Sequence, residues 1–151
     1  MRAYDMICAA LGILGSGIAQ IFGGWDAALT TLVIFMGIDY LTGMLVAGVF
    51  HKSPKTPGGG LESRAGWKGL VRKGVGLLIV LVATRLDLLI GDQSFIRDAV
   101  VIAFVVNECL SIVENAGLMG VPVPKVLMRA IEVLKAKADG EVPGEEDGRD
   151  E

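Results

Sequence analysis

The chain has 151 residues, enough for one domain, with 52% apolar and 21% charged side chains and a formal net charge of −3. That figure sums an acidic end against a basic remainder: 139–151 holds seven acids and one arginine, net −6, so the rest carries +3. Charged and apolar residues are segregated into blocks instead of alternating at a period of two or 3.6, which argues against an ordinary water-soluble domain. The 21 glycines suit closely packed membrane helices.

The first apolar segment, 6–22, contains no charge and only Ser16 and Gln20 as larger polar interruptions. Its length corresponds to roughly 25 Å of helix, at the short end for a membrane span. Arg2 resembles a thin signal-peptide n-region, but no small-x-small cleavage site followed by a soluble domain comes after it, so a retained helix is expected. Gly23, Gly24, Trp25 and Asp26 form a tight turn with an interfacial aromatic. The second segment, 27–50, bears a single charge, Asp39. Thr42 and Gly43 share the face of Asp39, and Gly43 with Ala47 forms a small-xxx-small pair suited to close helix packing.

A long connection, 51–73, carries Lys52, Lys55, Arg64, Lys68, Arg72 and Lys73 against one acid, Glu62. Pro54, Pro57 and the glycines at 58–60 predict irregular, mobile backbone there. By the positive-inside rule this basic loop lies on the cytoplasmic face of the membrane, close to an anionic inner leaflet. The third segment, 74–90, is clean to Thr84 and then meets Arg85 and Asp87; Arg85 could pair with Asp39, Glu108 or Glu114 across helices, or sit near the outer surface with Asp87. The turn 91–98 carries two acids and Arg97.

The fourth segment, 99–121, is apolar except for Asn107, Glu108, Ser111, Glu114 and Asn115. At about 100° per residue these five fall within an arc of about 120°, a polar stripe on a lipid-soluble cylinder. Such a stripe must face protein or water, either as a buried interhelical network or as the wall of an aqueous pore. Pro122 and Pro124 stop the helix. Residues 125–138 then predict a short amphipathic helix, either lying on the inner leaflet or solvated beside it. The acidic tail 139–151 is expected to be disordered.

The expected architecture is therefore all-α and polytopic. It has a membrane domain over 1–121 with four spans, three if the first segment lies on the surface, and both termini cytoplasmic. A cytoplasmic amphipathic helix over 122–138 and the tail follow. No Walker loop, GxSxG or HExxH motif occurs, so neither an enzyme nor a cofactor or metal is expected. The two cysteines, Cys8 and Cys109, are read as small apolar helix residues.

Particular residues then carry a resemblance. The run Asp39-Tyr40-Leu41-Thr42-Gly43, the stretch from Gly66-Trp67-Lys68 to Lys73, Thr84-Arg85-Leu86-Asp87, the run from Asn107 to Asn115, and Gly120-Val121-Pro122-Val123-Pro124 resemble the toxin-secretion/phage-lysis holin family over about residues 30–135. The acidic tail and the Pro/Gly-rich stretch at 54–60 depart from that pattern. The resemblance implies a homo-oligomer in the bacterial cytoplasmic membrane that opens timed lesions for an endolysin or toxin, with an antiholin as a further partner and no nucleic acid. On the residues alone, a small ion channel or transporter using the intramembrane carboxylates fits equally well. A membrane scaffold recruiting a soluble partner through its C-terminal region is a third expectation.

Overall fold

A computed structural model describes residues 2–91 and 93–140, and all regular structure among them is helical. The order is α1 (Ala3–Ile21), α2 (Ala27–Gly48), α3 (Ser63–Ile90), α4 (Phe95–Leu118) and α5 (Lys125–Ala138). The tail beyond residue 140, expected to be disordered, lies outside the described residues.

Each boundary has a local cause. Asp26 caps α2 by accepting a hydrogen bond from the Leu29 amide at 2.9 Å. Gly91, with φ of 79°, takes the left-handed conformation that ends α3. The N-terminus of α4 is capped from the preceding helix: the Asp87 carboxylate accepts from the Ile96 and Arg97 amides at 2.9 and 2.8 Å. Gly120, with φ of 78°, and the two prolines that follow reverse the chain after α4.

Helix α4 is the hub. It packs against α2, α3 and α5, whereas α2 and α3 touch each other only lightly. The core joins Leu29, Leu32 and Met36 of α2, Val80 of α3, Val101, Val105, Val106 and Cys109 of α4, and Ile131 of α5. No residue of α1 is buried. The rest of the apolar surface points outward, including Ile34, Ile38, Leu41 and Leu45 of α2 and Leu78, Val82 and Leu89 of α3. In water so large an apolar surface would drive aggregation; against acyl chains it costs nothing. By length and composition α1 and α2 are able to cross a membrane.

Three expectations are corrected here. The connection read as a loop over 51–73 is irregular only to Glu62, because the prolines and the glycine triplet end by Gly60 and helix-compatible sequence follows. Arg64, Lys68, Arg72 and Lys73 are thus residues of α3, whose 28 residues extend for about 42 Å, beyond the ~30 Å hydrocarbon layer. The remaining loop is closed by its own hydrogen bonds: Thr56 Oγ1 donates to the Gly60 carbonyl at 2.8 Å and the Ser53 amide to the Gly59 carbonyl at 3.0 Å. Finally, α5 is not free of the bundle but packs part of its apolar face on α4, burying Ile131 and half-burying Leu134 while Leu127 and Ala130 stay exposed.

Candidate functional site

One group of polar residues gathers inside the bundle where α2, α3 and α4 converge; a second, with Asp87 and Arg97, is buried toward the other end. Lys73 of α3 donates from Nζ to Asp39 Oδ2 of α2 at 2.7 Å and also to Glu108 Oε2 of α4. All three side chains are largely withdrawn from the surface, at 14%, 9% and 7% exposure. One cation thus bridges two carboxylates between three helices. Asn115, two turns along α4 from Glu108, donates from Nδ2 to Asp39 Oδ1 at 3.1 Å and to Thr42 Oγ1 at 2.9 Å. Thr42 returns its own hydroxyl proton to the Asp39 carbonyl at 3.1 Å. Gly43 lies against this contact: a β-carbon there would sit 3.8 Å from Asn115 Nδ2, an ordinary van der Waals distance. Among the described residues no buried side-chain polar atom lacks a partner. In a low-dielectric interior a satisfied network holds its helices together, and a partly opened one is costly.

The α4 stripe divides along its length. Glu108 and Asn115 point into the bundle, Ser111 is half-buried, and Asn107 and Glu114 are exposed. Of the packing residues read from α2, Asp39 and Thr42 join the network, Gly43 lines its approach and Ala47 is buried close by. Of the basic residues, Lys52, Lys55, Arg64, Lys68 and Arg72 are exposed, and Lys73 alone enters the interior. Arg85 is exposed and makes no ion pair among the described residues, so none of its proposed pairings forms.

The cation missed by sequence reasoning is Lys73. Two carboxylates in apolar segments demand a neutralising partner, and the first basic residue before the third apolar run is within reach once α3 is continuous through it. Arg97 was missed as well. Only 2% exposed, it donates to the Phe22 carbonyl from Nε at 3.0 Å, to the Gly24 carbonyl at 3.3 Å and to Asp26 Oδ2 at 2.7 Å. It locks the α1–α2 turn to the start of α4, and its guanidinium holds the Asp26 carboxyl below the usual carboxylate range. The 22–26 turn and the start of α4 therefore lie together at one end of the bundle.

The sequence profile of the bacteriophage holin family matches residues 16–136. An uncharacterised protein of Clostridium perfringens (strain 13 / Type A) is 36% identical over 135 residues, covering 87% of this chain and 94% of that protein. A second uncharacterised protein, from Listeria innocua serovar 6a, is 36% identical over 137 residues, 89% of this chain and 92% of its own. A Bacillus phage phi105 protein named "Probable holin" is 32% identical over 111 residues, 74% of this chain and 76% of its own. No solved structure matches. With a profile spanning most of its length and relatives aligned almost end to end, the chain belongs to the bacteriophage holin family.

Proposed function

We propose that this chain accumulates in the host cytoplasmic membrane, oligomerises, and at a set time opens lesions that release an endolysin. The observation that carries this reading is the division of the α4 stripe. Its inner edge, Glu108 and Asn115, is neutralised inside the bundle, and its outer edge, Asn107 and Glu114, is presented at the surface. A carboxylate facing lipid costs about 2.5–3.5 kcal/mol, so Asn107 and Glu114 favour contact with a second copy or with water. Association along that edge hides it, and rearrangement around an aqueous opening hydrates it.

Four crossings with both termini cytoplasmic accord with this arrangement. The end bearing the 22–26 turn and the start of α4 has two basic residues, Arg97 and, two positions before Asp87, Arg85, whereas the other holds Lys52, Lys55, Arg64 and Lys68. The exposed, apolar α1 is then free to face lipid or a neighbouring subunit. An antiholin would act by competing for the same outer edge.

The test is induced expression in a bacterial host, following viability, membrane accumulation and escape of a cytoplasmic reporter enzyme when an endolysin is co-expressed. Glu114→Ala should shift or abolish the lysis time at unchanged accumulation, whereas Glu108→Ala should reduce accumulation itself. Lysis timing unaltered by Glu114→Ala would remove the outer edge from the mechanism. Leakage confined to small ions, with no reporter escaping, would favour the channel reading.

A further inference from the structure

Beside the Lys73 cluster lies an open cleft of about 490 Å³ between α2, α3 and α4, within the size range of small-molecule sites. Its walls change character with depth. At the level of the cluster stand Asp39, Lys73 and Glu108; one turn deeper, Met36, Gly76 and Phe104 meet, and a β-carbon on Gly76 would lie 3.5 Å from Met36 and 3.6 Å from Phe104. In the opposite direction, Lys68, just over a turn before Lys73, and Arg72, the residue next to it, line the mouth together with Lys55 from the loop. The lining carries four cations against two carboxylates. Lys73 is consumed by both carboxylates, so Lys55, Lys68 and Arg72 make no ion pair among the described residues. Lys52 and Arg64, also basic and exposed, do not line the cleft.

We propose that this cleft holds one anionic phospholipid of the inner leaflet, its phosphate between Lys55, Lys68 and Arg72 and an acyl chain laid over Met36, Gly76 and Phe104. A basic mouth above an apolar floor is the pattern an amphiphile requires, whereas a dissolved phosphate would make no use of the floor. Scattered positive-inside charges would not converge on one cavity. The inference rests on the membrane placement proposed above, with the 49–62 loop cytoplasmic, and is independent of lesion formation.

The experiment is native mass spectrometry of the full chain, purified in detergent and equilibrated with mixed phosphatidylglycerol and phosphatidylcholine, counting retained lipids. One retained phosphatidylglycerol, preferred over phosphatidylcholine, is the expected result. Lys55→Gln/Lys68→Gln/Arg72→Gln should weaken retention by about a hundredfold, at roughly fivefold per cation. Lys125→Gln/Arg129→Gln/Lys135→Gln, with the same change in net charge on α5, should leave it within about twofold. Equal losses in the two variants would reduce the effect to general charge and overturn the site. Displacement of the lipid by millimolar glycerol phosphate would overturn its assignment to a lipid in favour of a free phosphate. Because retention is read without lysis, its failure is separable from failure of the lesion reading, which shows in reporter escape.

Discussion

Replacing Lys73 by Met removes the one cation that holds Asp39 and Glu108 together, and the cost follows from geometry. Both carboxylates lie within hydrogen-bond reach of one nitrogen, so their nearest oxygens are within about 5.5 Å of each other. Two unit charges at that distance repel by about 3 kcal/mol at an effective dielectric constant of about 20. This agrees with the roughly 3–5 kcal/mol lost when one partner of a buried pair is removed. For a chain of this size each kcal/mol moves the thermal midpoint by about 2–4 °C, so Lys73→Met should unfold about 6–12 °C earlier in detergent. Asp39→Asn/Lys73→Met/Glu108→Gln, which leaves no uncompensated charge, should regain most of that loss. The assay is the fraction remaining monodisperse after stepwise heating. A single variant as heat-stable as the wild type, or a triple variant as damaged as the single one, would refute the bridging role.

At the other end of the bundle, Arg97→Met should cost about 2–4 kcal/mol by stranding the Phe22 and Gly24 carbonyls, and amide exchange at 22–26 should quicken while the α2–α4 core stays protected. Asp87→Ala strips two amides at the start of α4 of their acceptor and should cost about 0.5–2 kcal/mol, with faster exchange confined to Ile96 and Arg97; Asp87→Asn should be milder. Because the Asp26 carboxyl is held below its ordinary value by Arg97, its stabilising contribution is complete above the unfolded value of about 3.9 and is lost only as pH falls through the lower folded value. Trp25 fluorescence in a Trp67→Phe background should therefore be flat from neutral pH to about 5 and change only below about 4; a transition near neutrality would contradict the Arg97–Asp26 link.

How much of this was legible in the sequence depends on the range of the interaction. The polar face of α4 and the shared face of Asp39, Thr42 and Gly43 are matters of helical period within one segment; of those side chains Asp39, Thr42 and Asn115 meet, while Asn107 and Glu114 stay at the surface. The length of α3 was not legible in apolarity, because a hydropathy run marks only the lipid-soluble part of a helix. Its basic first turns obey the same backbone rules and read as loop because they are charged and follow directly on the prolines and glycines of 54–60. Lys73 pairs with residues 34 and 35 positions away, and Arg97 reaches back 71 to 75, so no local pattern announces either. The face of α5 was read correctly as amphipathic, but the period says only that an apolar side wants cover. The tight Gly120-to-Pro124 reversal decides that α4 provides it.

The hub position of α4 also sets a timetable for biogenesis. As the chain leaves the ribosome, α2 and α3 are made first, and they share little interface with which to recognise each other. Asp39 and Lys73 then stand as a neutral one-to-one pair on an open flank, and nothing yet buries Leu29, Leu32 or Val80. The 28 residues that follow Ile90, through Leu118, take about one to six seconds to synthesise, at about 5–20 residues per second. Until they arrive the N-terminal half lacks most of its core, and a product terminated before Phe95 should be degraded faster than the full-length chain. Synthesis of α4 is thus the step at which the bundle gains its core, because Val101, Val105, Val106 and Cys109 come with it.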